Sequence, residues 1–110
     1  MSTIVRQLKS LREYTLPVKT MTLDELCRGV GYPHYKAVNE LIAVLSGFPG
    51  MQNLETVPFK SGRSPRTFYT YVLQHEQAKM VLKGLDNLLS FKLERMKAAE
   101  KARTTYYGRD

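Results

Sequence analysis

The chain has 110 residues, with 17 Lys and Arg against 10 Asp and Glu, a formal net charge of +7, and 43% hydrophobic residues. That length suits one domain with a single modest core. No apolar run approaches the ~20 residues a membrane-spanning helix needs, so no membrane insertion is expected. The excess of cations favours a polyanionic partner: nucleic acid first, with ribosomal, membrane-surface and acidic-protein partners left open.

The stretch MSTIVRQLKSLREY carries cations but no continuous apolar segment, so no secretory signal is expected. A single cysteine, Cys27, makes no internal disulfide, which fits a reducing cytoplasm. Across residues 1–13, Arg6, Lys9 and Arg12 interleave with Ile4, Val5, Leu8 and Leu11, the spacing of a short helix. Residues 14–19, YTLPVK, read as extended, because Pro17 blocks a helix and biases Leu16 toward β geometry.

In TMTLDELCRGVGY, Thr22 and Glu25 form a capping box. The helix it opens is predicted over about 23–28, with Leu23, Leu26, Cys27 and Val30 inward and Gly29 and Gly31 as its stop. Pro33 suits the first position of a second helix over 34–45. Its inward residues are Ala37, Val38, Leu41, Ile42 and Leu45. His34, Tyr35, Lys36, Asn39, Glu40 and Ala43 face outward. The connector SGFPGMQN ends it. Strands are predicted over 54–59 and 67–73, joined by KSGRSPR. Helical periodicity resumes at Gln74 and is predicted to break at Gly84–Asn87, giving helices over 75–83 and 86–102. The expected organisation is an N-terminal helical and extended segment (1–19), one domain (20–102) and an unstructured tail (103–110).

Two helices about a glycine-containing turn, then a hairpin, is the winged-helix arrangement. The expected fold is therefore α+β, mostly α: a winged helix-turn-helix with a two-stranded hairpin and a long C-terminal helix. Lys60, Arg63 and Arg66 crowd the wing tip with no acid among them, while Gly62 and Pro65 let the turn approach a groove. Arginine grips phosphate oxygens with two N–H groups; the plain alternative is a solvated loop. His34, Tyr35, Lys36 and Asn39 lie near the N-terminal end of the second helix, the end that enters the major groove in helix-turn-helix proteins. There Asn39 suits adenine and Lys36 phosphate or guanine; for each residue the plain alternative is a solvated helix face. The expected partner is double-stranded DNA.

Catalysis draws little support, and no enzyme activity, metal or cofactor is expected. His34 and His75 have no metal-ligand spacing with Cys27. A Cys27–His34 nucleophile pair is conceivable, but Cys27 sits on an apolar stripe. Gly29-Val30-Gly31 lacks the later glycine and preceding strand of a phosphate loop. Phe68, Tyr69 and Tyr71 read either as base-stacking rings or, since strand side chains alternate, as one core pair and one exposed pair. Leu88, Leu89, Phe91, Leu93 and Met96 exceed what a small core obviously needs. They pack either on the domain itself or on a second copy, as a homodimer through the C-terminal helix.

Three segments resemble the phage regulatory protein Rha family: TLDELCRGVGYPHYKAVNELIAVL, GRSPRTFYTYVLQHEQAKMVL and KGLDNLLSFKLERM. The resemblance runs from about Thr20 to Met96, with His34 on the family's histidine position. Tyr32-Pro33 stands where members tend to be basic, Tyr35 and Asn39 where charged residues are usual, and SGFPGMQN is a different connector. The resemblance implies a winged-helix transcriptional regulator of phage or prophage origin in the cytoplasm of a bacterial host. The competing expectation is an inhibitor or antirepressor that uses the same fold to bind a host or phage protein.

Overall fold

The structure, a computed structural model, describes residues 2–60 and 65–107. Helix α1, Ser2–Glu13, turns Leu8 and Leu11 into the core. Strand β1 is only Met21–Thr22, and helix α2 follows at once as Leu23–Val30. The capping box forms: the Glu25 backbone N–H donates to the Thr22 hydroxyl, and the Thr22 N–H donates back to the Glu25 carboxylate, both at 3.2 Å. Helix α2 runs two residues beyond the predicted stop at 28. Gly29 stays helical, with the Tyr14 ring so close that a Cβ there would meet Tyr14 Cε1 at 2.6 Å. The turn falls at Gly31, whose φ of 73° is left-handed backbone that glycine adopts without steric cost.

Helix α3 spans 34–45 and changes pitch within itself. An α turn, His34–Ala37, leads into a wider π turn, Val38–Ile42, and a last α turn, Ala43–Leu45. Pro33 is its cap rather than its first residue, with extended ψ of 130°. Ala37, Leu41, Ile42 and Leu45 are buried as the periodicity requires, and Val38 is half-buried.

Strands β2, Thr56–Phe59, and β3, Phe68–Leu73, form an antiparallel hairpin in which Phe59 lies opposite Phe68. The expected two-stranded hairpin is corrected to a three-stranded antiparallel sheet. Strand β1 pairs with the other side of β3, Met21 opposite Leu73, giving the order β1-β3-β2. Two residues are too few to show an alternating pattern, which is why the sequence hid this strand. The expectation that one alternating pair on β3, Phe68 with Thr70 or Tyr69 with Tyr71, is core holds for neither pair as a whole. Thr70 is buried, Tyr71 is half-buried, and Phe68 and Tyr69 are exposed.

Helix α4, His75–Tyr107, is one continuous element of 33 residues, about 50 Å long at 1.5 Å per residue. The predicted break at Gly84 does not occur. Gly84 is a point of close approach: a Cβ there would lie 2.7 Å from Leu41 Cδ1, so the glycine lets α3 settle onto α4. That packing offsets the roughly 1 kcal/mol by which glycine weakens a helix interior. Asp86, read as part of the break, accepts two hydrogen bonds from the Arg12 guanidinium, at 2.8 and 3.1 Å, and one from Ser90 at 3.2 Å. Residues 103–107, expected in an unstructured tail, continue the helix; residues 108–110 lie outside the described residues.

One apolar cluster joins all of this, centred on Leu23, Leu26, Leu73, Val81 and Leu85, and α1 packs into the same cluster. Each such side chain contributes about 1.5–3 kcal/mol by leaving water. Met51, from the connector, is 1% exposed and belongs to this core. The fold is α+β and mostly helical, with a small antiparallel sheet and a long C-terminal helix.

Candidate nucleic-acid interface

The first turn of α3 meets the far end of the hairpin, and one histidine makes the join. His34 Nε2 lies 2.9 Å from the Thr70 hydroxyl, which also accepts the Asp24 backbone N–H at 3.0 Å. Thr70 is 1% exposed, so its own hydroxyl hydrogen needs an acceptor within the protein. His34 Nε2 can serve as that acceptor when the ring is neutral and protonated on Nδ1. Burial lowers the His34 pKa below its ordinary value, and nearby Asp24 partly opposes that. The ring stands edge-on to Phe59, with centroids 4.9 Å apart, and Phe59 in turn faces Phe68 at 6.0 Å. His34 was expected on the outward face; it is half-buried instead, because the hydroxyl and the ring draw it inward.

The other expected residues lie on the two elements that meet at this join. Tyr35 is 64% exposed, Asn39 is exposed and Lys36 half-exposed on α3. Lys60 follows Phe59 directly, and Arg66 lies two residues before Phe68; both are exposed. Arg63 lies outside the described residues. The one acid of α3, Glu40, is turned toward α4. Its carboxylate accepts from Lys92 Nζ at 2.8 Å and from the Tyr32 hydroxyl at 3.0 Å. Lys92 chiefly, and Tyr32 with it, hold that carboxyl below the usual range, while burial and Glu40 push the Tyr32 hydroxyl up. The outward side of α3 therefore presents an aromatic ring, an amide and a cation.

Two residues at this join escaped the sequence reading. Phe59 and Thr70 looked like ordinary strand formers, and nothing in a lone strand threonine marks it as the partner of a distant histidine. Cys27, weighed as a nucleophile, is buried, and burial with Asp24 pushes its thiol up to about 12, so it stays protonated at neutral pH. Among the described residues, no three or more His, Cys, Asp or Glu side chains are grouped to hold a metal ion. No helix among them is long and apolar enough to cross a membrane. Comparison with protein-family models, curated proteins and solved structures finds no match to this chain.

Proposed function

We propose that this protein is a winged helix-turn-helix regulator that binds duplex DNA. The observation that supports the reading is the contact of His34 with Phe59 and Thr70, which joins the first turn of the helix carrying Tyr35, Lys36 and Asn39 to the hairpin carrying Lys60 and Arg66. The element order supports it too: α1, β1, α2, a turn over 31–33, α3, a hairpin and α4, with β1 added to the free side of β3. In this reading α3 enters the major groove, where Asn39 and Tyr35 reach base edges. Lys36, Lys60, Arg63 and Arg66 hold phosphates. The regulatory role, the phage or prophage origin and the bacterial cytoplasm follow from the resemblance to the Rha family.

The test is selection of bound sequences from random duplex DNA at ~0.15 M salt, where phosphate-only binding is already weak. An enriched motif supports the reading, and absence of any bound duplex even at low salt ends it. Replacing Lys60, Arg63 and Arg66 by Ala should lower the salt slope of binding by about one unit per lost phosphate contact. Exposed Val5, Phe91 and Met96 favour the second reading, a protein partner. In that case changes at Phe91 and Met96 abolish partner binding while the three wing substitutions leave it intact.

A dimer belongs to the same proposal. Residues 94–102 of α4 are all exposed, and helical stability comes mostly from a packed face. A second copy along this segment gives a two-fold symmetric regulator, and the selected motif would then be palindromic. Sedimentation at increasing protein concentration reads this directly.

A further inference from the structure

We infer that His34 is a positioning residue: a neutral imidazole, held by the buried Thr70 hydroxyl, that locks the reading helix to the wing and lets go when it takes up a proton. The inference rests on the DNA-binding reading and gives one of its residues a different task.

The argument is an accounting of hydrogens. The Thr70 oxygen accepts the Asp24 N–H at 3.0 Å and lies 2.9 Å from His34 Nε2. With neutral His34, the chain runs Asp24 N–H to Thr70 O–H to His34 Nε2, and both the amide hydrogen and the hydroxyl hydrogen have an acceptor. A protonated imidazole carries hydrogen on both nitrogens. Its Nε2–H then points at the threonine oxygen, and the hydroxyl hydrogen of a side chain 1% exposed is left without a partner. Leaving a buried donor unsatisfied is the costly outcome, so the protonated ring leaves this pocket.

The surroundings agree. The ring edge lies against Phe59, an uncharged neighbour on β2, and Thr70 on β3 is likewise uncharged. The charged group acting on the ring from α2 is Asp24, and its carboxylate is paired with Arg28 at 3.2 Å. Burial outweighs that carboxylate, so the neutral ring is favoured. Three elements thus meet at one hydroxyl: the N-terminus of α2, β3 of the wing, and the first turn of α3. The outward residues Tyr35 and Lys36 are the next two on that turn, so their aim depends on the ring staying in place. Thr70 itself is too buried to touch DNA, and any effect it has on binding passes through this contact.

The sign of the pH effect sets the inference apart from simple electrostatics. Lowering pH adds positive charge to the protein, which by itself tightens binding to a polyanion. The lock predicts the reverse for a specific site, with affinity falling by up to tenfold for each pH unit below the lowered ionisation of His34 in the free folded protein.

Two measurements on the full chain test it. Nitrogen-15 spectra of the free protein at pH 7.5 should show His34 with Nδ1 protonated and Nε2 accepting a hydrogen bond. A ring protonated on Nε2 overturns the inference, whether or not DNA is ever bound. The second measurement is affinity for a duplex drawn from the selection, from pH 7.5 to 5.0, with circular dichroism confirming that each protein is folded. Wild type should lose affinity toward pH 5.0, and Thr70→Ser, which keeps the hydroxyl, should follow it. Thr70→Val, which keeps the shape without the hydroxyl, should bind roughly tenfold more weakly at pH 7.5 and respond little to acid. A wild-type profile that is flat or rises toward acid, or a valine variant that binds like wild type, overturns the lock and leaves the DNA reading standing. Failure of any duplex to bind at pH 7.5 removes the DNA reading instead, and the nitrogen spectra still decide whether the lock exists.

Discussion

The two sides of α3 are built by different physics. Facing α4, Leu41 packs over Gly84, with Glu40 tied to Lys92 at the margin. Facing the hairpin, the first turn of the helix makes a hydrogen-bonded chain through Thr70 and a ring contact with Phe59. The apolar side contributes stability in proportion to area removed from water and is indifferent to orientation at fine scale. The polar side contributes little net stability but fixes direction, since a hydrogen bond weakens steeply with angle. The consequence is a helix whose attachment and aim can be perturbed separately.

The largest effect should come from breaking the apolar side. Leu41→Ala removes a side chain that is 5% exposed and packs over Gly84, and should cost about 2–5 kcal/mol in urea or thermal unfolding. Breaking the polar side should cost less. Thr70→Val strands the Asp24 N–H and His34 Nε2, an expected loss of about 1–3 kcal/mol, with Thr70→Ser recovering most of it.

Acid should then separate the two sides. His34 has a folded-state pKa below its ordinary value, so the unfolded chain binds the extra proton. Its contribution is fully present above the ordinary value of 6.5 and is lost as pH falls from there through the lowered pKa. Glu40 and Asp86 are also lowered, by Lys92 and Arg12 respectively, so their contributions fade only at more acid pH. Urea midpoints should therefore begin to drop near pH 6 in wild type but not in His34→Leu. Identical curves for the two proteins would refute the assignment of that window to His34.

The smallest expected change sharpens the comparison at Gly84. Alanine normally gains roughly 1 kcal/mol over glycine inside a helix. Here the new methyl meets the Leu41 side chain, which must turn aside, so Gly84→Ala should be neutral to within about 1 kcal/mol. A full gain in stability would mean that α3 does not press on this residue.

Much of the fold was legible because it is written in local signals. Thr22 with Glu25 and the stripe from Ala37 to Leu45 each carry their meaning within one to three turns of chain. What was not legible depended on distant partners. Gly84 reads as a breaker unless Leu41 is known to lie over it. Met21-Thr22 is no strand until Leu73 is beside it, and Met51 is connector until the core closes on it. The candidate site divides the same way. Tyr35, Lys36, Asn39, Lys60 and Arg66 could be named from charge and position. His34 was named for the same reasons, yet its neighbours Thr70 and Phe59 lie 36 and 25 positions away and turn it from an exposed side chain into a held one.

The tie between Arg12 and Asp86 spans 74 positions of the 110-residue chain. During synthesis α1 leaves the ribosome before the surface it docks against, on α4, is made. Loop-closure entropy and the order of translation both delay this contact. The N-terminal helix should therefore be the last piece to settle, leaving Leu8 and Leu11 uncovered until the final helix has emerged.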